Sequence, residues 1–176
     1  ILNLTPDSFS DGGKYNTTKL ALKRSKYLIK KGCQIIDVGG ESTRPGSKEI
    51  NYNEEWSRIK GFITNSKKIN CLISLDTRKS KIMHKAYNYK LNIINDISGL
   101  SYDPHTIKFI KDTKIPFIIN HSEGLPINMQ KNPKYKNVLL DIYDFFEKSI
   151  KTKFTDNKII LDPGIGFGKT LKHNLT

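Results

Sequence analysis

The sequence predicts an α/β protein, specifically a (β/α)8 TIM barrel of which about six of the eight β/α units are present. The first observation is that short apolar segments alternate with segments of helical period, which favours a parallel sheet with right-handed crossovers. The second is that every apolar segment ends in a polar residue. In barrels of this kind the residues at the carboxyl ends of the strands build the ligand site.

The chain is expected to form one domain over residues 1–176, truncated at both ends. Its 176 residues, 36% hydrophobic and 27% charged, can bury a core of their own. The barrel fold needs about 250 residues, so the last units are expected to be missing after Thr176. The chain begins at Ile1 on strand-like residues rather than at Met, so its natural start is expected to lie further upstream.

The charge and composition of the chain argue against nucleic-acid binding and against a membrane-spanning segment. The net charge of +13 comes from lysines spread along the whole chain, without a basic stripe interleaved with aromatic residues, so we expect no nucleic-acid binding. No segment approaches the roughly 20 apolar residues of a membrane span, and no signal peptide is visible. Cys33 and Cys71 are expected to be buried, reduced thiols of a cytoplasmic protein.

The strands are predicted from short runs rich in Ile and Leu. Because these runs are apolar throughout instead of alternating, they fit a parallel sheet that is covered on both faces or closed into a barrel. The predicted strands cover residues 1–4, 35–39, 72–76, 92–96, 115–119 and 158–162.

The helices are predicted from capping residues and apolar spacing. Thr17 or Thr18 caps the first helix and Gly32 follows its end, with Leu20, Tyr27, Leu28 and Lys31 spaced to share one face. The apolar spacing of Trp56, Ile59 and Ile63 predicts the core face of the second helix, and that of Ile82 and Ala86 the core face of the third. The predicted helices cover residues 17–31, 53–64, 81–90, 106–112 and 136–154, and a last one begins near residue 171.

Three strand-end residues, Asp76, Asn95 and Asp162, suggest a site for a heterocycle. Carboxylates accept hydrogen bonds from adjacent N–H and amino groups, whereas an amide both donates and accepts. An amino-oxo pyrimidine ring suits this mixed set, and the charged acceptors strengthen the bonds. The alternative is that each residue caps the following helix. Three such residues, each after an unbroken apolar strand, favour the ligand.

The glycine-rich segment from Asp162 to Thr170 matches neither of two common phosphate-binding motifs. A P-loop would need Gly at Pro163, and a dinucleotide fingerprint would need Gly at Lys169. The glycines still allow the backbone to approach a flat ligand. We therefore expect Gly166 and Lys169 to contact the substrate.

Arg44 offers a planar fork for a phosphate or carboxylate. The alternative is a surface salt bridge with Glu41 or Glu49, which would contribute little. His121, the only histidine at a strand end, suits either a base or phosphate contact or a hydrogen-bonded structural role.

Asn3 and the loop carboxylates Asp7 and Asp11 suggest a site for Mg²⁺, a hard cation that prefers oxygen ligands and retains waters. Asp-rich turns are common, so this pattern alone is a weak predictor.

Five segments resemble one family, the dihydropteroate synthases of bacterial type. They follow the order in which the family has them and together span the chain. They are ILNLTPDSFSDGG (1–13), IDVGGESTRPG (36–46), SLDT (74–77), IINDI (93–97) and LDPGIGFGK (161–169).

The resemblance implies an eight-fold barrel that condenses p-aminobenzoate with 6-hydroxymethyl-7,8-dihydropterin pyrophosphate, giving 7,8-dihydropteroate and pyrophosphate. It implies that Asp76, Asn95 and Asp162 hold the pterin and that Asn3 is a Mg²⁺ ligand. In the family the pyrophosphate leaves first, and the aniline nitrogen then captures a resonance-stabilised pterin cation. The resemblance also implies a sulfonamide target and a homodimer at full length.

The two loops carry the other implied roles. Thr43 and Arg44 would lie in a mobile loop close to the substrate, with Pro45 and Phe9 near the aminobenzoate. Asp11 would stabilise the cation, so that Asp11, Arg44 and Asp76 form the expected catalytic set.

The sequence departs from the family in two places. The seventh strand with its Ser-Arg-Lys segment and the eighth with its Arg-Val-His-like end are absent, so residues 1–176 alone are expected to be inactive. Residues 121–126 depart from the usual His-Met-x-Gly-x-Pro, which makes the aminobenzoate contact less secure. A pterin-binding methyltransferase barrel and a non-catalytic synthase-like subunit are the alternatives.

Overall fold

The computed structural model describes residues 1–5, 17–44, 46–124, 128–151, 154 and 158–176. Within these residues six strands form one parallel sheet in chain order, and helices alternate with them. This confirms the predicted α/β class and the six β/α units. The strands are β1 (Leu2–Asn3), β2 (Ile35–Gly39), β3 (Leu72–Asp76), β4 (Ile93–Asp96), β5 (Phe117–Asn120) and β6 (Ile159–Asp162).

The helices begin at the residues that capping chemistry favours. Thr17 accepts a hydrogen bond from the Leu20 amide at 3.3 Å at the start of the first helix, and Asn51 accepts one from the Glu54 amide at 3.0 Å at the start of the second. Gly32, with φ of 92°, follows the end of the first. The helices are α1 (Thr18–Lys30), α2 (Tyr52–Asn65), α3 (Ser80–Tyr87), α4 (His105–Thr113), α5 (Val138–Lys151) and α6 (Leu171–Leu175).

The strands pair so that their carboxyl ends lie side by side. Gly39 is the partner of Asp76, which is in turn the partner of Asn95. Because successive side chains point to opposite faces, one face of the sheet carries the apolar residues that pack under the helices. These residues are Ile36, Val38, Ile73, Leu75, Ile94, Phe117 and Ile119, all buried.

The core face of α2 is the predicted one, with Trp56, Ile59 and Ile63 buried. The apolar face of α1 predicted from Leu20 and Tyr27 is not the face that is buried, because these two residues are 41% and 51% exposed.

Small residues, Ala21 and Ser25, are buried in α1 instead. The reason is a close approach between two helices: a Cβ added to Gly61 of α2 would meet the Thr18 hydroxyl of α1 at 1.8 Å. Thr18, Ala21 and Ser25 follow helical spacing, so the face that meets α2 is built from small side chains.

The opposite face of the sheet is partly open. Ile35, Leu72 and Ile160 on this face are all exposed. The described part of the chain contains no helix long and apolar enough to span a bilayer.

The expectation of two buried thiols needs a correction. Both Cys33 and Cys71 are free, as predicted, but each is only half-buried. The Cys71 thiol donates to the Cys33 carbonyl at 3.5 Å.

Candidate functional site

A cavity of about 650 Å³ lies at the carboxyl ends of the strands. Each of the six strands contributes a polar residue to its lining, because these residues all fall on the face of the sheet opposite the helices. They are Asn3, Asp37, Asp76, Asn95, Asn120 and Asp162.

The floor of the cavity is rich in acceptors. Asn95 donates its amide N–H to Asp37 at 3.3 Å, but the other Asp37 oxygen and the Asn95 carbonyl oxygen are buried without a hydrogen-bond partner among the described residues. Burial raises the pKa of Asp37, an effect that the neighbouring Ser74 and Asn95 side chains partly offset. Burial and then the nearby Asp37 charge raise the pKa of Asp76 well above its usual range. Such a floor favours a ligand that brings N–H donors or positive charge.

The helix-cap alternative does not describe these residues. The residue that caps α3 makes no side-chain bond, and the first-turn amide of Ser80 donates to Asp103 at 2.8 Å. Asp162 accepts from the Gly164 amide at 2.8 Å within its own turn, whereas Thr170 caps α6. The ligand interpretation of the strand-end residues is the one that this geometry favours.

Thr43 and Arg44 also line the cavity, on the loop that follows β2. The Glu41 carboxylate at the start of this loop accepts two bonds from Arg78, both at 3.1 Å, and one from Lys79 at 2.9 Å. Although burial alone would raise the pKa of Glu41, these bonds lower it. The predicted alternative gave Arg44 a salt bridge to Glu41 or Glu49. The structure shows Glu41 bonded by Arg78 and Lys79, and Glu49 3.7 Å from Arg78.

Beneath this loop lies a buried ionic brace formed by Glu41, Lys79, Glu55 and Thr77. Lys79 bridges Glu41 and Glu55, with its Nζ 2.8 Å from a Glu55 oxygen, and Thr77 donates to the other Glu55 oxygen at 2.5 Å. Glu55 is completely buried although it lies in the first turn of α2. The brace joins the β2 loop, the end of β3 and α2. Sequence reasoning missed it, because an acid in a first helical turn is typical of a solvent-exposed residue.

The glycine segment packs tightly against the end of β5. Gly164 has φ of 67°, and a Cβ there would lie 2.0 Å from the His121 carbonyl oxygen. The buried Lys169 ammonium lies 3.0 Å from the Phe167 carbonyl, 3.1 Å from that of Gly164 and 3.2 Å from that of His121. Gly166 lines the cavity as predicted, but Lys169 does not.

The expectation of a substrate contact for Lys169 is therefore corrected. Its ammonium is bonded to backbone carbonyls and holds the glycine segment in shape. Burial lowers the pKa of Lys169 to about 8. His121, 3.0 Å from this ammonium through Nδ1, has its pKa lowered to about 4 by burial and by the lysine charge. This geometry favours the structural role for His121.

The structure therefore brings most of the predicted site residues together. Phe9, Asp11 and Pro45 lie outside the described residues, as does Asp7. The predicted residues that line the 650 Å³ cavity are Asn3, Thr43, Arg44, Asp76, Asn95, Asp162 and Gly166.

Sequence reasoning missed the apolar walls of the cavity. Ile97, Met129, Ile165 and Phe167 all line it, and nothing in the local sequence marked them as site residues. Arg24 and Leu28 of α1 line it as well, which no local pattern could have shown. Among the residues that the structure describes, no group of three or more His, Cys, Asp or Glu side chains could hold a metal ion.

Comparisons with known proteins identify the family of this chain. The sequence matches the family described as "Pterin binding enzyme" over residues 1–176. It is 40% identical over 179 residues to the dihydropteroate synthase of Escherichia coli K12, covering 99% of this chain and 63% of that protein.

Two solved structures are also similar. The dihydropteroate synthase of Yersinia pestis in a sulfonamide complex superposes with a TM-score of 0.92 at 36% identity, covering 99% of this chain and 64% of that one. The enzyme of Clostridium difficile, solved in the presence of pteroic acid, gives 0.85 at 35% identity, covering 99% and 66%.

The chain is therefore an α/β protein that forms part of a barrel, and it belongs to the pterin-binding enzyme family. The resemblance to dihydropteroate synthase inferred from the five segments is confirmed. The chain spans about 63% of the length of the E. coli relative.

The ionic brace gives a first prediction. Glu55→Gln removes one charge from a buried pair and leaves Lys79 poorly compensated, so we expect the free energy of unfolding to fall by about 3–5 kcal/mol. Glu54→Gln is the matched control, because Glu54 forms an exposed pair with Arg58 and its loss should cost less than about 1 kcal/mol. Urea denaturation measures both, and equal losses would contradict a buried brace.

Asp96 gives a second prediction, on pH. It is buried on the helix-facing side; Ser98 donates to one of its oxygens, and the other has no partner among the described residues. Burial raises its pKa from 3.8 to about 6 despite the bonds from Ser98. The folded protein therefore holds this proton more tightly than the unfolded chain, and stability falls as pH rises from about 4 to 6.

Asp96→Asn should remove this dependence. The stability of the wild type relative to the variant should drop by about 3 kcal/mol across that window, measured by denaturation at several pH values. Asp103→Asn is a control of opposite sign, because hydrogen bonds from Ser80 and His105 outweigh burial and lower the pKa of Asp103. A wild-type advantage over Asp96→Asn that stays constant with pH would show that the Asp96 proton is not held by the fold.

Proposed function

We propose that the protein to which this chain belongs is a dihydropteroate synthase of folate biosynthesis. It would condense p-aminobenzoate with 6-hydroxymethyl-7,8-dihydropterin pyrophosphate, releasing pyrophosphate. The observation that carries the proposal is the acceptor-rich floor of Asp37, Asp76, Asn95 and Asp162 inside the 650 Å³ cavity, beside Thr43 and Arg44. The relatives named above support it, since one was solved with a sulfonamide and another in the presence of pteroic acid.

The floor would bind the pterin. The ring presents N–H and amino donors in one plane, and Asp76, Asn95 and Asp162 present acceptors from the ends of β3, β4 and β6. In the free protein, burial and the neighbouring carboxylate disfavour the ionised form of Asp76. Donors from the ligand would relieve this cost, which gives the site a preference for a ring rich in N–H groups.

The same electrostatics would serve the reaction. If the pyrophosphate leaves before the aniline nitrogen attacks, positive charge develops on the pterin. The carboxylates of Asp76 and Asp37, fixed beforehand in a place largely shielded from water, would stabilise that charge. Asp11 is proposed to act with them from the first loop. Aniline is already a usable nucleophile, so no strong general base is required.

Thr43 and Arg44 would contact the leaving group. They lie on the side of the cavity that the β2 loop forms, and the guanidinium can bind pyrophosphate oxygens in a fork. The brace below the loop supports this placement, because Glu41 is bonded to Arg78 and Lys79 at the base of the same loop. Pro45 and Phe9 are proposed to lie near the aminobenzoate.

Mg²⁺ is part of the proposal. Asn3 ends β1 and lines the cavity, so its amide oxygen can supply one ligand. One oxygen from the described residues fits a Mg²⁺ ion that takes its other ligands from pyrophosphate and water. Bound there, the ion would neutralise charge on the leaving group. Asn3 would orient that end of the substrate.

The remaining parts of the proposal concern the whole protein. We infer a single barrel domain, of which residues 1–176 form the first six units, and a homodimer at full length, as the resemblance to the family implies. A cytoplasmic location is supported by the two free cysteines.

Asp76→Asn tests the reaction. In the natural full-length protein we expect kcat/KM to fall by about 10²–10³-fold, because the charge that faces the developing cation is lost. Formation of 7,8-dihydropteroate and release of pyrophosphate measure it. Asp112→Asn is the control, because Asp112 forms only an exposed pair with Lys108. Methyl transfer from a methylated folate without condensation would overturn the proposal in favour of a methyltransferase.

Asn3→Ala tests the metal site. The Mg²⁺ concentration that gives half-maximal activity should rise by about tenfold or more, since one ligand is removed. Asn53→Ala, at an exposed position on α2, should leave it unchanged. An unaltered Mg²⁺ dependence in Asn3→Ala would remove Asn3 from the metal site while leaving the synthase assignment intact.

A further inference from the structure

Asn120, the last residue of β5, has an unexplained carboxamide. Its side chain lines the main cavity and the residue is 4% exposed. Its carbonyl oxygen is buried without a hydrogen-bond partner in the part of the chain that the structure describes. Buried polar groups in folded proteins are nearly always hydrogen-bonded, so a buried oxygen without a partner needs an explanation.

The register of the sheet shows where this amide lies. Asn120 is paired with Asp162 across β5 and β6, and Asn95 is paired with Ile118. Since side chains two residues apart on a strand share a face, Asn120 lies on the cavity face, one step beyond the row that contains Asp76 and Asn95. It is therefore next to Asp162.

The glycine segment passes close to the carboxamide of Asn120 but makes no hydrogen bond to its oxygen. A Cβ added to Gly164 would lie 3.2 Å from the Asn120 carbonyl oxygen, so this segment passes close to the amide. The Gly164 amide, however, already donates to Asp162 at 2.8 Å. The amide of Asn120 thus lies at the cavity wall beside the Asp162 carboxylate, which accepts the hydrogen bond of the Gly164 amide.

Packing alone does not call for an amide here. Leucine has nearly the same shape and would fill the position without burying an unsatisfied oxygen. Asn92 differs from Asn120 in this respect. The side-chain carbonyl oxygen of Asn92 accepts a hydrogen bond from the Ile73 amide at 2.9 Å and so stabilises the fold. The Asn120 oxygen accepts no such bond among the described residues.

We propose that Asn120 is a further specificity-determining residue, whose carboxamide hydrogen-bonds the amino-oxo edge of the heterocycle next to the group that Asp162 binds. This rests on the proposed pterin site. An amide offers a donor and an acceptor and can present either by rotating about its last bond, so it can match a ring edge that alternates N–H and C=O. Asn120 thereby adds a residue of β5 to the recognition surface, between Asn95 of β4 and Asp162 of β6.

The test is Asn120→Leu in the natural full-length protein, with pteroic acid as the binding probe. We expect Kd for pteroic acid to rise about tenfold, as for one lost hydrogen bond. The KM for the pterin substrate should rise similarly while that for p-aminobenzoate stays unchanged. The melting temperature of the unliganded protein should rise by about 2–4 °C, because a buried unsatisfied group is removed.

Asn92→Leu is the matched control, since it makes the same substitution at an amide with a structural partner. It should lower the melting temperature and leave Kd unchanged. Asn120→Ala is a second variant that excludes a steric effect of leucine. Alanine is too small to clash with the ligand, so the loss of the amide alone should weaken pteroic acid binding to the same extent.

The outcomes separate the two proposals. A wild-type protein that does not bind pteroic acid overturns the proposed function and this inference with it. Tight binding by the wild type and by both Asn120 variants overturns the inference alone. A fall in melting temperature like that of Asn92→Leu would assign Asn120 a structural role and also overturn it.

Discussion

The site depends on one constraint of β-structure: successive side chains on a strand point to opposite faces, and paired parallel strands keep their carboxyl ends together. Gly39, Asp76 and Asn95 are partners in one row across three strands. The glycine in this row leaves room for its neighbour, because a Cβ at Gly39 would lie 3.1 Å from an Asp76 carboxylate oxygen, which is a tight contact. The apolar residues between these positions point the other way and pack under the helices. One pattern thus builds the core and the cavity together.

The acids around the cavity fall into two electrostatic groups. Glu41 is bonded by Arg78 and Lys79, and its pKa is lowered. Asp76 is buried near other carboxylates, and its pKa is raised. The bonds to Glu41 fix the base of the loop after β2, whereas the environment of Asp76 favours a ligand that carries N–H groups or positive charge. In a chain of net charge +13, this acidic floor is a local feature that the overall charge does not reveal.

Where sequence reasoning went wrong, the cause was a partner distant in the chain. Leu20 and Tyr27 have the spacing of a core face, but the close approach of α2 at Gly61 selects the small residues of α1 instead. Lys169 looked like a substrate contact, because its position in the glycine segment does not reveal the carbonyls that surround its ammonium. Glu55 looked like a surface acid, and only the docking of α2 against the end of β3 brings it to Lys79.

The sequence by itself determined the order of the strands and helices, the α/β class, the family resemblance and most of the polar residues of the cavity. It could do so because strand-end position and capping chemistry are local properties of the chain. Only the tertiary structure decided which acids are paired, that Lys169 supports a turn, and that the Asn120 oxygen is buried beside Asp162 without a partner in the described residues. The acid pairs and the burial of the Asn120 oxygen depend on contacts between segments far apart in sequence. Lys169 bonds two carbonyls of its own segment, but its third partner, the His121 carbonyl, is distant in the chain.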